Sequence, residues 1–152
     1  MPTTTALAHN SKMVAYDYYD TGFRLDLADE TERWLLTVAT HHGRHVGQLT
    51  YIFTSREHHR YLNEKYLSHT DDTDILTFDY SEGPTSPVVA DVFISIDQVK
   101  DNAREFTVPF VDELHRVMVH GLLHLMGYDD HSPTDKARMQ QQEDLALNLR
   151  LF

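Results

Sequence analysis

His120-Gly121-Leu122-Leu123-His124-Leu125-Met126-Gly127-Tyr128-Asp129-Asp130-His131 is the stretch from which the rest of this chain can be read. Two histidines four residues apart lie on one face of a helix, one turn above the other, so both imidazoles can reach a single ion. The positions around them, Val117, Met118, Val119, Gly121, Leu122, Leu123, Leu125 and Met126, are all apolar or glycine. That pattern predicts a helix wrapped by protein on most sides, where an unpaired imidazole would cost free energy. A metal supplies the missing partner. Gly127 stands where a helix commonly ends in a left-handed residue, and the chain then turns through Tyr128 to bring Asp130 or His131 back toward the same point. Three protein ligands with a fourth position open is how catalytic zinc is held. The chain has no cysteine, so imidazole and carboxylate are the available donors, and one Zn2+ per chain is expected.

Working outward, Val14–Tyr19 and Val46–Thr54 read as strands, the second from the alternation of Leu49, Tyr51 and Phe53. Between them Ala28–His42 reads as a helix with Trp34, Leu35 and Val38 on one face and Gly43 as its stop. Ser55 can cap a helix running to about Leu67. Ile75–Tyr80 is a short strand, the segment from Ser81 to Pro87 a loop, and Val88–Ile96 a strongly apolar strand. Helices follow at Asp97–Phe106 and at about Phe110–Met126. Ser132, Pro133 and Asp135 supply a cap, a first-turn proline and an acid for a last helix to about Leu149. Four strands and five helices, grouped rather than alternating, predict an α+β fold.

The composition sets limits. At 152 residues the chain predicts one domain with a real core: a metal-dependent hydrolase domain over residues 13–152, preceded by a disordered tail over residues 1–12. No apolar run is long enough to cross a membrane, and the N-terminus lacks the basic-then-apolar pattern of a secretory signal. The absence of cysteine fits a cytoplasmic location. Acidic side chains number 24 against 13 basic ones, for a net charge of −11. Broad electrostatic binding to nucleic acid, and to DNA in particular, is therefore not expected, since phosphate contacts need Lys or Arg. Charge can still be local: Arg56, Arg60 and Lys65 lie close together in a segment that also holds Tyr61 and Tyr66.

In metallopeptidases of the His-Glu-x-x-His type, the residue after the first histidine is the glutamate base. Here it is Gly121. The helix has the metal-binding spacing of a peptidase without the peptidase's base. Glu113 and Arg116 precede His120 by about two turns and one turn on the same stripe, where either can reach the surroundings of the metal or the substrate. Arg116 is the candidate catalytic cation.

The block from His120 to Asp129 resembles the YbeY family of bacterial endoribonucleases. Leu62-Asn63-Glu64-Lys65-Tyr66 and Thr73-Asp74-Ile75-Leu76-Thr77-Phe78 are similar to that family's L-N-x-x-Y and T-[DN]-[VI]-L-[ST]-F blocks, and Ala90-Asp91-Val92-Phe93-Ile94 to its G-D-[IL]-x-I strand. The likeness runs unbroken from Val46 to Leu149. It implies a single zincin-like domain, a four-stranded mixed sheet with helices around one central metal-bearing helix. It also implies zinc-dependent cleavage of single-stranded RNA in maturing the 3′ end of small-subunit rRNA and in ribosome quality control, with the ribosome or its small subunit as partner.

Two positions depart from the family. Many members carry Arg after the tyrosine of L-N-x-x-Y; here that residue is Leu67, so a phosphate contact would have to come from Arg60 or Arg116. The third ligand position, often His ten residues after the first, is Asp130. This spacing favours Asp130 over His131, although neutral imidazole is the commoner zinc ligand. His131 is then left beside the open position as a candidate proton donor. Two alternatives stand against the nuclease: a non-catalytic ribosome-assembly factor stabilised by zinc, and a metallopeptidase-like hydrolase.

Overall fold

Alternation builds the sheet. In β2 (Val46–Thr54) Leu49, Tyr51 and Phe53 are fully buried, and in β4 (Val88–Ser95) Val88, Ala90, Val92 and Ile94 are buried in the same way. Strands β1 (Val14–Tyr19) and β3 (Ile75–Asp79) complete a four-stranded sheet in the order β1-β2-β4-β3. The first three strands in that order run parallel, and β3 is antiparallel to β4 at the edge. The computed structural model describes residues 13–67 and 74–152. The expected tail over residues 1–12 lies outside the described residues, as do Thr73 and the side chain of Leu67.

Five helices are present among the described residues: α1 (Ala28–His41), α2 (Arg56–Leu67), α3 (Ile96–Phe106), α4 (Phe110–Leu125) and α5 (Pro133–Leu147). Both helix starts expected from a serine form in that way. Ser55 Oγ accepts the His58 N–H and Ser132 Oγ accepts the Asp135 N–H. The sequence does not show where β4 gives way to α3. Ser95 caps α3 by accepting the Gln98 N–H, so the strand stops one residue early and Ile96 becomes the first helical residue. The other expected ends move by one or two residues, with β3 stopping at Asp79, α4 at Leu125 and α5 at Leu147.

Helix α4 is the central element. Leu114, Val117, Met118, Val119, Leu122 and Leu123 are buried, as its nearly continuous apolar run predicts. It lies against the sheet at Gly121, where a Cβ would stand 2.7 Å from Ile75 Cδ1 and 3.2 Å from Val92 Cγ1. The Tyr51 hydroxyl donates to the Met118 carbonyl at 2.8 Å, and the Trp34 indole N–H donates to Ala146 O at 2.8 Å. These two bonds tie α4 to the sheet and α1 to α5, and they satisfy polar atoms that would otherwise be costly to bury. On the other face of the sheet Tyr66 of α2 packs edge-on to Phe78, and Phe78 edge-on to Phe93.

Candidate metal centre

His120 occupies the last-but-one turn of α4, where the buried helix reaches a cleft. Its Nδ1 lies 2.6 Å from Glu143 Oε2 and its Nε2 lies 3.4 Å from Asp130 Oδ2. A carboxylate only accepts, so Nδ1 donates its proton to Glu143. Nε2 faces a second carboxylate, an arrangement that favours the protonated ring and frees the Nε2 lone pair only once that proton is lost. Glu143 is held in turn: Arg116 Nη1 donates to Glu143 Oε1 at 2.8 Å, and Arg116 Nη2 donates to Asp144 Oδ1 at 2.7 Å. Burial opposes a charge on His120. The Glu143 carboxylate, with Asp130 and Asp74 behind it, outweighs that and lifts the imidazole above its ordinary range.

The turn after α4 forms as the glycine predicts. Gly127 is left-handed, with φ 109°. Its N–H donates to His124 O, while the Tyr128 N–H donates to Leu123 O, which is the Schellman arrangement. That turn returns Asp130 to His120. His124, one helical turn on from His120, is exposed, and its Nδ1 lies 3.3 Å from the Tyr128 carbonyl. A carbonyl can only accept, so the His124 Nδ1 also carries the proton and its Nε2 stays open.

The structure therefore places the candidate residues unevenly. His120, Asp130 and Arg116 share a cavity of about 460 Å3 with Asp74, Glu113 and Glu143. His124 lines a neighbouring cavity of about 400 Å3 with Arg44, Asp79 and Ser81. His131 is exposed and lines neither. Among the described residues no three histidine or carboxylate side chains converge closely enough to hold an ion. The donor chemistry nonetheless fits zinc. Both imidazoles have Nδ1 directed to an oxygen acceptor, and the Asp130 carboxylate stands at Nε2 of His120; outer-sphere partners commonly orient ligands in this way.

Glu143 is the residue of the candidate site that sequence reasoning missed. The signal was present: Met139, Glu143 and Ala146 form the buried stripe of α5, and a carboxylate on such a stripe needs a cationic or metal-bound partner. Asp74, one residue ahead of β3, is a second acid of the cleft whose role its position in the chain did not show. Burial raises the carboxyl groups of both Asp74 and Glu113; for Glu113 the neighbouring Asp74 charge adds to the rise. Asn102 Nδ2 donates to Asp74 at 3.1 Å.

Two cations expected to meet phosphate are committed elsewhere. Arg116 is closed onto Glu143 and Asp144. Arg56 is closed onto Asp101, with its backbone N–H donating to Asp97. Lys65 stays exposed, its ammonium 5.5 Å from the Tyr61 ring centroid and 5.4 Å from that of Tyr66.

The model of the family described as Endoribonuclease YbeY matches residues 20–149. A protein named Endoribonuclease YbeY from Bacteroides thetaiotaomicron is 42% identical over 121 residues, covering 80% of this chain and 87% of that protein. Another of the same name from Cytophaga hutchinsonii is 44% identical over 133 residues, 88% of this chain and 92% of its own. Among solved structures, the solution structure of a Thermotoga maritima protein superposes with a TM-score of 0.62 at 24% identity, covering 88% of this chain and 87% of that one. The fold is shared with it.

Proposed function

The chain belongs to the YbeY endoribonuclease family, and from that premise we propose that it is a zinc-dependent endoribonuclease. Its substrate is single-stranded RNA, and its work is maturation of the 3′ end of small-subunit rRNA and ribosome quality control. The observation that carries the reading is the His120 ring, fixed by Glu143 at Nδ1 with Nε2 turned to Asp130 at the mouth of a buried helix.

His120, His124 and Asp130 are the residues that would hold the metal. Zinc in such a site supplies Lewis acidity toward a phosphoryl oxygen and acidifies water. The protein's own contribution is orientation. Glu143 sets the His120 tautomer, and Arg116 fixes Glu143 through one nitrogen and Asp144 through the other. His131, exposed on the turn beside Asp130, is the candidate proton donor to a leaving group. Arg116 acts on this reading through Glu143 and not by contact with phosphate.

The peptidase alternative meets an obstacle in the helix itself. Position 121 faces Ile75 and Val92, so no side chain there could serve as a base in the cleft. The assembly-factor alternative is separated by experiment. Purified wild-type protein is expected to carry one zinc by elemental analysis and to cleave single-stranded RNA, and His124→Ala to lose both. Full zinc without cleavage in the wild type would favour the assembly factor, and a stoichiometric zinc in His124→Ala would misplace the site.

A further inference from the structure

The arginines of this acidic chain are mostly neutralised within it. Arg33 closes onto Glu30, Arg56 and Arg104 onto Asp101, Arg116 onto Glu143 and Asp144, and Arg150 onto Asp112. Among the described residues Arg24, Arg44 and Arg138 close onto no carboxylate. Arg24 is turned onto the Thr21 and Phe23 carbonyls and the Tyr18 ring, whereas Arg44 and Arg138 line one cavity of about 530 Å3 with His42, Tyr128, Asp129 and Asp135. Arg44 donates through Nη2 to the Ser86 carbonyl at 3.2 Å, while its Nε is buried without a partner. Arg44, Met126 and Gly127 also border the cavity that holds His124, so the two spaces adjoin at the turn that ends α4.

We propose that this cavity is a phosphodiester subsite, in which Arg44 and Arg138 grip the backbone of a single strand beside His124. The inference rests on the RNA-cleaving reading and deepens it. A planar guanidinium with free donors is the side chain best matched to phosphate oxygens. Asp129 and Asp135 border the same space without closing on either arginine. Two guanidiniums against two carboxylates leave no net positive charge, so recognition rests on the guanidinium geometry of Arg44 and Arg138, and a singly charged diester is opposed less than a doubly charged terminal phosphate. His42 and Tyr128 meet edge to face at 5.5 Å and add ring surface on which an unpaired base can stack. Arg56, Arg60 and Lys65 take no part in lining this space.

The test is the salt dependence of binding to a single-stranded 2′-O-methyl oligonucleotide, followed by polarisation with strand integrity checked on a gel. Removing one phosphate-binding cation lowers the slope of log K against log salt by about 0.7 for a single strand. Arg138→Ala and Arg44→Ala are each expected to reduce the slope by that amount and the double variant by about twice it. Arg33→Ala, which removes the same charge from a paired surface arginine, should leave it unchanged. Arg138 is exposed on α5, so its variant stays informative if Arg44→Ala folds poorly. Wild-type slopes in both single variants would overturn the subsite alone, whereas no binding by the wild type would overturn the RNA reading and the subsite with it. Inorganic phosphate displacing the strand at matched ionic strength from wild type and not from Arg138→Ala would support the shared site. Equal displacement from both would overturn it.

Discussion

Glu143 shows how one side chain settles the chemistry of another. Its two oxygens divide the work, one taking the His120 Nδ1–H and one taking Arg116. Replacing Glu143 with leucine is expected to weaken zinc binding by about 10- to 100-fold, the usual cost of losing a ligand's outer partner, with glutamine falling between. Competition against a zinc-chelating dye measures this directly. The third ligand is decided by a second pair of variants. Asp130→Ala is expected to lose stoichiometric zinc, while His131→Ala keeps it and loses activity at most. Zinc analysis showing the reverse would mean that the chain reaches the metal one residue later. The geometry favours the first outcome, because Asp130 already stands against His120 and His131 faces solvent.

At the scale of the element, α4 presents two adjoining faces, Gly121 against the sheet and His120 toward the cleft. A methyl group at position 121 would press on Ile75 Cδ1 at 2.7 Å. Gly121→Ala is therefore expected to destabilise by about 1–2 kcal/mol from overpacking, partly offset by the better helix propensity of alanine. Ile75→Val removes the offending carbon, so in that background the same change should cost less than in wild type. Additive losses in urea melts of the double variant would show that the two positions do not meet. The elements were legible because each carried its own period and punctuation, with Leu49, Tyr51 and Phe53 alternating in β2 and Ser132 preceding α5. What stayed hidden depended on partners distant in sequence. Glu143 looks like any acid on a polar helix until α5 packs on α4. The spacing of His120 and His124 gives a common face, but it does not show that their surroundings divide into two cavities.

For the whole molecule the sensitive group is a buried histidine that lines none of the cavities described above. His115 is buried between Trp34 and Phe152, at 5.2 and 5.3 Å between ring centroids, with Arg150 Nη1 2.9 Å from its Nδ1. Burial, reinforced by the Arg150 charge and opposed by Asp112, lowers its pKa from 6.5 to about 4. A folded-state value below the unfolded one means that the unfolded chain takes up the proton first. This contribution is intact above about pH 6.5 and is lost as pH falls toward 4, amounting to about 3 kcal/mol. Asp74 and Glu113, raised by burial, act in the opposite sense. The effect of His115 is therefore the difference between wild type and His115→Gln in denaturant melts across that range. A difference that does not change with pH would show the ring to be titrating normally.

The bond from Trp34 to Ala146 has an optical consequence. The chain contains one tryptophan, and its indole is buried where α1 meets the end of α5. Its emission is therefore an intrinsic, label-free report on whether the last helix is docked. Undocking would wet the indole and move its emission to the red. Because His115 lies against the same ring, acidification that charges the imidazole should quench the light before the spectrum shifts. One fluorescence titration would thus separate protonation of the interior from release of the helix that carries Glu143.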